Sequence, residues 1–131
     1  MTYVVDASLV LVLLANRQTD EVLRKRLAEP RILHAPHLID AEVTSGIRGL
    51  LLGRKLAPER AGQMLSDYRA LRIVRHPMGP YQDLVLRLRH NLTAYDAFYV
   101  AVAERLSLPL LTRDAKLAGS VGHSAEILVH P

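Results

Sequence analysis

Tyr3-Val4-Val5-Asp6-Ala7-Ser8, at the start of the chain, decides how the rest is read. Tyr3, Val4 and Val5 are β-formers in an unbroken apolar run, which suits a strand buried on both faces of a sheet. Asp6 ends the run, and Ala7 to Ala15 reads as a helix. An acid at the carboxyl end of a central strand, just before a helix, stands where open α/β sheets place their ligands. The pattern returns late in the chain. Leu110-Leu111-Thr112 is a short apolar strand, and Arg113-Asp114 leads into a short helix. Two such strands side by side would bring Asp6 and Asp114 together.

Between them, strand and helix signals alternate. Asp20 suits the cap of a helix through about Ala28, closed by Pro30. Ile32 to Ala35 reads as a second strand. Pro36 opens a helix over 37–52 that Gly53 ends, with Leu38, Glu42, Ser45, Gly46 and Gly49 on one face. The small residues there allow another element to come close. Pro58 and Glu59 suit the first turn of a helix to about Tyr68. Leu71 to Val74 reads as a third strand and Tyr81 to Arg89 as a helix. Thr93 is a good cap for an Ala-rich helix over 94–106, and Ala125 to Val129 suits an edge strand. Strands alternating with helices predict an α/β fold around a mostly parallel sheet. The 131 residues are expected to form a single domain, 1–131.

Composition narrows the function. Without cysteine there is no disulfide framework and no thiolate metal site. No apolar run is long enough to span a bilayer, and no leader is visible, so a cytoplasmic protein with no membrane partner is expected. All but three of the 17 basic residues are Arg, and the net charge is +4. That balance leans toward an anionic partner such as nucleic acid. No Gly-rich phosphate loop, Gly-x-Ser-x-Gly elbow or His-Glu-x-x-His helix occurs, which argues against NTPases, serine hydrolases and zinc hydrolases.

Four acids stand out by position: Asp6, Glu42, Asp96 and Asp114. Singly, each has an ordinary reading. Asp6 and Asp114 suit helix caps, Glu42 a solvated helix face, and Asp96 the third position after the Thr93 cap. The joint layout says more. Two carboxylates about 5 Å apart repel by roughly 3 kcal/mol at an effective dielectric near 20. Several can stay ionised together only around a cation; otherwise their pKa values rise. All-oxygen ligands select Mg2+ or Mn2+, and that chemistry is metal-assisted phosphodiester hydrolysis. Ser8 and Thr112 stand two residues from Asp6 and Asp114, and could support a carboxylate. Arg113 and Lys116 could meet substrate phosphates. Asp40, on another face of the Glu42 helix, reads as structural.

Val-Val-Asp-Ala-Ser at the start, the segment 36–43 with Glu42, Thr93-Ala94-Tyr95-Asp96-Ala97 and Leu111-Thr112-Arg113-Asp114 resemble PIN-domain ribonucleases, in particular the VapC toxins of VapBC toxin–antitoxin pairs. The resemblance covers nearly the whole chain. It implies a PIN-like three-layer sandwich whose five-stranded sheet runs 3-2-1-4-5 between helices. It implies that Asp6, Glu42, Asp96 and Asp114 bind Mg2+ or Mn2+, with Thr112 and Ser8 in support. It also implies cleavage of single-stranded RNA, often a tRNA or rRNA loop, a homodimer, and a cognate VapB-type antitoxin that alone contacts operator DNA. The expected function is therefore a Mg2+/Mn2+-dependent endoribonuclease that stops translation. The rival from another class is a non-catalytic subunit that binds antitoxin or RNA. A receiver domain fits poorly, because no second acid adjoins Asp6, and a flap nuclease would need more chain to grip DNA.

Overall fold

A computed structural model describes residues 2–15, 21–22 and 32–130. The chain runs β1 (Val4–Val5), α1 (Ala7–Ala15), β2 (Leu33–Pro36), α2 (Leu38–Leu52), α3 (Pro58–Ala70), β3 (Ile73–His76), a 3-10 turn (Gly79–Tyr81), α4 (Gln82–Arg87), α5 (Ala94–Leu106), β4 (Leu110–Thr112), α6 (Ala115–Ala118) and β5 (Ile127–Val129). Of the helix expected from Asp20 to Ala28, only Glu21 and Val22 are described, and both are helical. The remainder of that segment lies outside the described residues.

The sheet order is β3-β2-β1-β4-β5, and every pairing among the described residues is parallel. Helices flank it, α5 against β1, β2 and β4, and α1 against β4, α2 and α3. Central position explains the apolar run of β1: Val4 and Val5 are fully buried, and so are Leu110 and Leu111 beside them. The register Val4↔Leu110 and Val5↔Leu111 brings Asp6 level with Thr112. The topology therefore sets both strand-ending acids at one edge, where the strand order reverses. At Gly46 a Cβ would run into the Leu11 side chain, so the small residue lets α2 close on α1; Gly49 meets nothing and has no such role.

Several boundaries shift from expectation, each for a local reason. The third strand begins at Ile73 rather than Leu71, because α3 continues to Ala70 and Leu71 caps it, its N–H bonded to the Tyr68 carbonyl. The second strand is Leu33–Pro36 rather than Ile32–Ala35. Backbone donors alternate along it, Leu33 to Arg72, His34 to Tyr3 and His37 to His76. Pro36, which has no N–H, thus takes a position facing β1 beyond the last paired residue, where no donor is required. The helix expected over 81–89 is a 3-10 turn followed by α4, which tightens at Leu88 into i→i−3 bonds. Gly53 caps α2 with a negative φ, and the left-handed position falls on Arg54 at φ 54°. The edge strand is shorter than expected, Ile127–Val129. Among the described residues no helix is long and apolar enough to cross a membrane.

Candidate active site

The site grows from the seam between β1 and β4. Asp6 is 7% exposed and caps α1: its Oδ1 accepts the Leu9 N–H at 3.0 Å and the Ser8 hydroxyl at 2.7 Å. Its Oδ2 accepts the hydroxyl of Thr112, which is completely buried. The two hydroxyls are themselves held from the neighbouring turn. Thr112 Oγ1 accepts the Asp114 N–H at 3.0 Å, and Ser8 Oγ accepts the Arg113 N–H at 3.2 Å. The turns after β1 and β4 are thus laced together, and three donors fix the Asp6 carboxyl. Burial nevertheless holds its pKa above the ordinary carboxyl value; the three hydrogen bonds oppose that rise, and the Asp96 charge adds to it.

Asp96 sits in the first turn of α5, where its N–H bonds the Thr93 cap at 3.3 Å. Its pKa is also raised, first by burial and then by the Asp114 charge, with Thr93 and Lys116 opposing. Glu42, on α2, is raised by burial and by repulsion from Asp96 and Asp6. Against these stands the Tyr99 hydroxyl, which donates to Glu42 Oε1 at 2.6 Å. Asp114 caps α6, with Oδ1 accepting the Lys116 N–H at 3.0 Å. The cap readings of Asp6 and Asp114 are therefore real. They coexist with the clustering, because a capping carboxylate uses only some of its roughly four lone-pair sites.

The four acids interact as a linked set, Asp114 with Asp96, Asp96 with Asp6 and Glu42, and Glu42 with Asp6. Their donors are hard oxygens, which fit Mg2+ or Mn2+ and no thiophilic ion. Among the described residues, however, no three acidic or histidine side chains already converge on one point that would hold a metal. Arg113 and Lys116 are exposed beside Asp114.

Sequence reasoning overlooked Tyr99. It lies one helical turn beyond Asp96, so the i,i+3 spacing was the available signal. Across β2 and β3, His34 Nδ1 stands 2.9 Å from His76 Nε2.

Comparison with known proteins agrees with this architecture. Residues 3–119 match the PIN domain family. The chain is 39% identical to Ribonuclease VapC1 of Mycobacterium tuberculosis over 125 residues, 95% of this chain and 94% of that protein. It is 38% identical to Ribonuclease VapC9 of the same organism, with 98% of each covered. A crystal structure of a member of the VapBC family of toxin–antitoxin systems, VapBC-5 from M. tuberculosis, superposes with a TM-score of 0.64 at 19% identity, covering 98% of this chain and 96% of that one. The sheet order, the matched domain and these identities make the chain a member of the PIN-domain family, in its VapC ribonuclease branch.

Proposed function

We propose that this chain is a metal-dependent endoribonuclease, the toxin half of a toxin–antitoxin pair, working through Asp6, Glu42, Asp96 and Asp114. One observation carries the reading: carboxyl groups from four separate elements lie near enough to the β1–β4 seam to act on one another's charge, and burial and that repulsion hold three of them above their ordinary pKa. A fold that leaves such repulsion in place has a use for it, and a divalent cation is what relieves it. Asp6, Asp96 and Asp114 would hold such a cation, with Glu42 as a further ligand or as an aid to water; when bound it would offset charge on the phosphodiester and lower the pKa of water.

The chain's own residues do the rest. Ser8, Thr112 and the Leu9 N–H fix Asp6 in one orientation, so the carboxylate is already placed when substrate arrives. Arg113 and Lys116 offer cationic side chains to flanking phosphates. The substrate is RNA, cut to leave a 5′-phosphate and a 3′-hydroxyl. A cognate VapB-type antitoxin silences the site in the cytoplasm, and the active form is a homodimer, as the resemblance to the VapC toxins of VapBC pairs implies.

The test is cleavage of single-stranded RNA by purified protein in Mg2+ or Mn2+. Cleavage should vanish in EDTA, and Asp6→Asn and Asp96→Asn should each abolish it. Full activity in both variants would overturn the assignment. Wild-type protein that retains RNA uncut in Mn2+ would point instead to a binding subunit.

A further inference from the structure

We infer that Tyr99 is a positioning residue for Glu42, and that its hydroxyl fixes which oxygen of that carboxylate is left for the site. The inference rests on the nuclease reading above. Tyr99 is 1% exposed, its ring packed in the core under α5. Its hydroxyl alone reaches out, donating to Glu42 Oε1 at 2.6 Å, between residues 57 apart in sequence.

Three features make this more than ordinary satisfaction of a buried phenol. First, the need differs from acid to acid. Asp6 is held by three donors and Asp114 by the backbone of its own turn. Glu42 is the fifth residue of α2, past the capping turn, its carboxylate is bonded by the Tyr99 hydroxyl, and its side chain has one more rotatable bond than an aspartate. The phenol is the donor that fixes it. Second, Tyr99 and Asp96 are one turn apart on α5, so one rigid helix carries both a candidate ligand and the group that aims a second one. Third, the bond ties α2 to α5. With Oε1 engaged by Tyr99, Oε2 is the oxygen of Glu42 free to serve a cation or a water.

Tyr99→Phe keeps the ring and removes only the donor, so packing is conserved. Mn2+ binding measured by calorimetry on the full-length protein should weaken by about 10- to 100-fold. The rate of RNA cleavage at saturating RNA should fall, while KM for RNA stays within about twofold. A merely structural tyrosine would lower the melting temperature and leave Mn2+ affinity alone. In a Glu42→Gln background the same substitution should have no further effect on Mn2+ binding, since Tyr99 acts through the carboxylate. Mn2+ affinity within twofold of wild type in Tyr99→Phe would overturn the inference while leaving the nuclease reading intact. Wild-type protein that binds no Mn2+ and cuts no RNA would overturn both. Should Tyr99→Phe not fold, Mg2+ titration of the wild type followed by NMR decides. The Tyr99 ring resonances should shift at the same midpoint as those of Glu42, and unmoved Tyr99 resonances would refute the link.

Discussion

Asp40 and Glu42 leave α2 two residues apart and meet opposite surroundings. Asp40 faces Arg75 and Tyr68. Its Oδ1 accepts from Arg75 Nη2 at 2.9 Å and from the Tyr68 hydroxyl at 2.6 Å, and the Arg75 guanidinium lies over the Tyr68 ring at 5.6 Å. Hydrogen bonding from Arg75 holds the Asp40 carboxyl below its usual pKa. Glu42 has a phenol on one side and two like charges on the other, and its pKa is raised. The two carboxylates differ in what lies across from them, not in local sequence. A carboxylate given a guanidinium is structural. One set among other carboxylates has its charge opposed within the fold, and in the proposed reading a cation relieves it.

Four measurements would break or sharpen that contrast. The largest effect is on activity. A cation site supplies several kcal/mol to the transition state, so Asp96→Asn should lose more than about a hundredfold in RNA cleavage without a lower melting temperature. Asp40→Asn should cleave at close to the wild-type rate, and equal losses in the two would erase the distinction. Next comes ligand-linked stability. Mg2+ at a hundred times its dissociation constant should stabilise wild type by about 2.7 kcal/mol, read as a rise in the thermal midpoint. That rise should persist in Asp40→Asn and shrink in Asp96→Asn.

Smaller again is the ion pair itself. Arg75 and Asp40 are partly exposed, with 28% and 52% of their side chains accessible, so Arg75→Ala should cost about 1 kcal/mol in urea denaturation. Mn2+ affinity should not change. The smallest effect is on pH dependence, measured in EDTA. A raised carboxyl pKa makes the folded state relatively more stable below the unfolded pKa, and that gain is lost as pH rises through the folded value. A lowered one, as at Asp40, contributes stability above the unfolded pKa that is lost as pH falls through the folded value. At neutral pH Asp96→Asn should therefore melt above wild type and Asp40→Asn below it. Asp96→Asn should converge on wild type as pH falls to the unfolded carboxyl value of about 4, and Asp40→Asn only as pH falls further, through the lowered folded value. Convergence from the same side would show that the two acids do not differ in sign.

Much of this architecture is legible in residues 3–8 and 110–114. A short, unrelieved run of β-formers has few places to go except the middle of a sheet, and Val4, Val5, Leu110 and Leu111 are fully buried there. Thr93 was recognisable as a cap because capping is a contact over three residues, and the bond from the Asp96 N–H follows directly. Boundaries were less legible. Whether α3 stops at Tyr68 or Ala70 depends on one carbonyl finding a donor at Leu71, and nothing in the composition of that stretch separates the two.

The chain's local chemistry determined which elements form, the parallel layout they demand, and the three positions, Asp6, Asp96 and Asp114, where an acid ends a strand or opens a helix. Those signals act over a few residues and are printed in sequence order. Tertiary packing alone decided that Thr112 reaches Asp6 across 106 residues, that Tyr99 reaches Glu42 across 57, and that Arg75 reaches Asp40 across 35. Burial and neighbouring charge set the pKa of a carboxyl group, and both are properties of the space around it. Helical spacing put Asp40 and Glu42 on different faces; only the folded chain decided that one face meets Arg75 and the other meets further carboxylates.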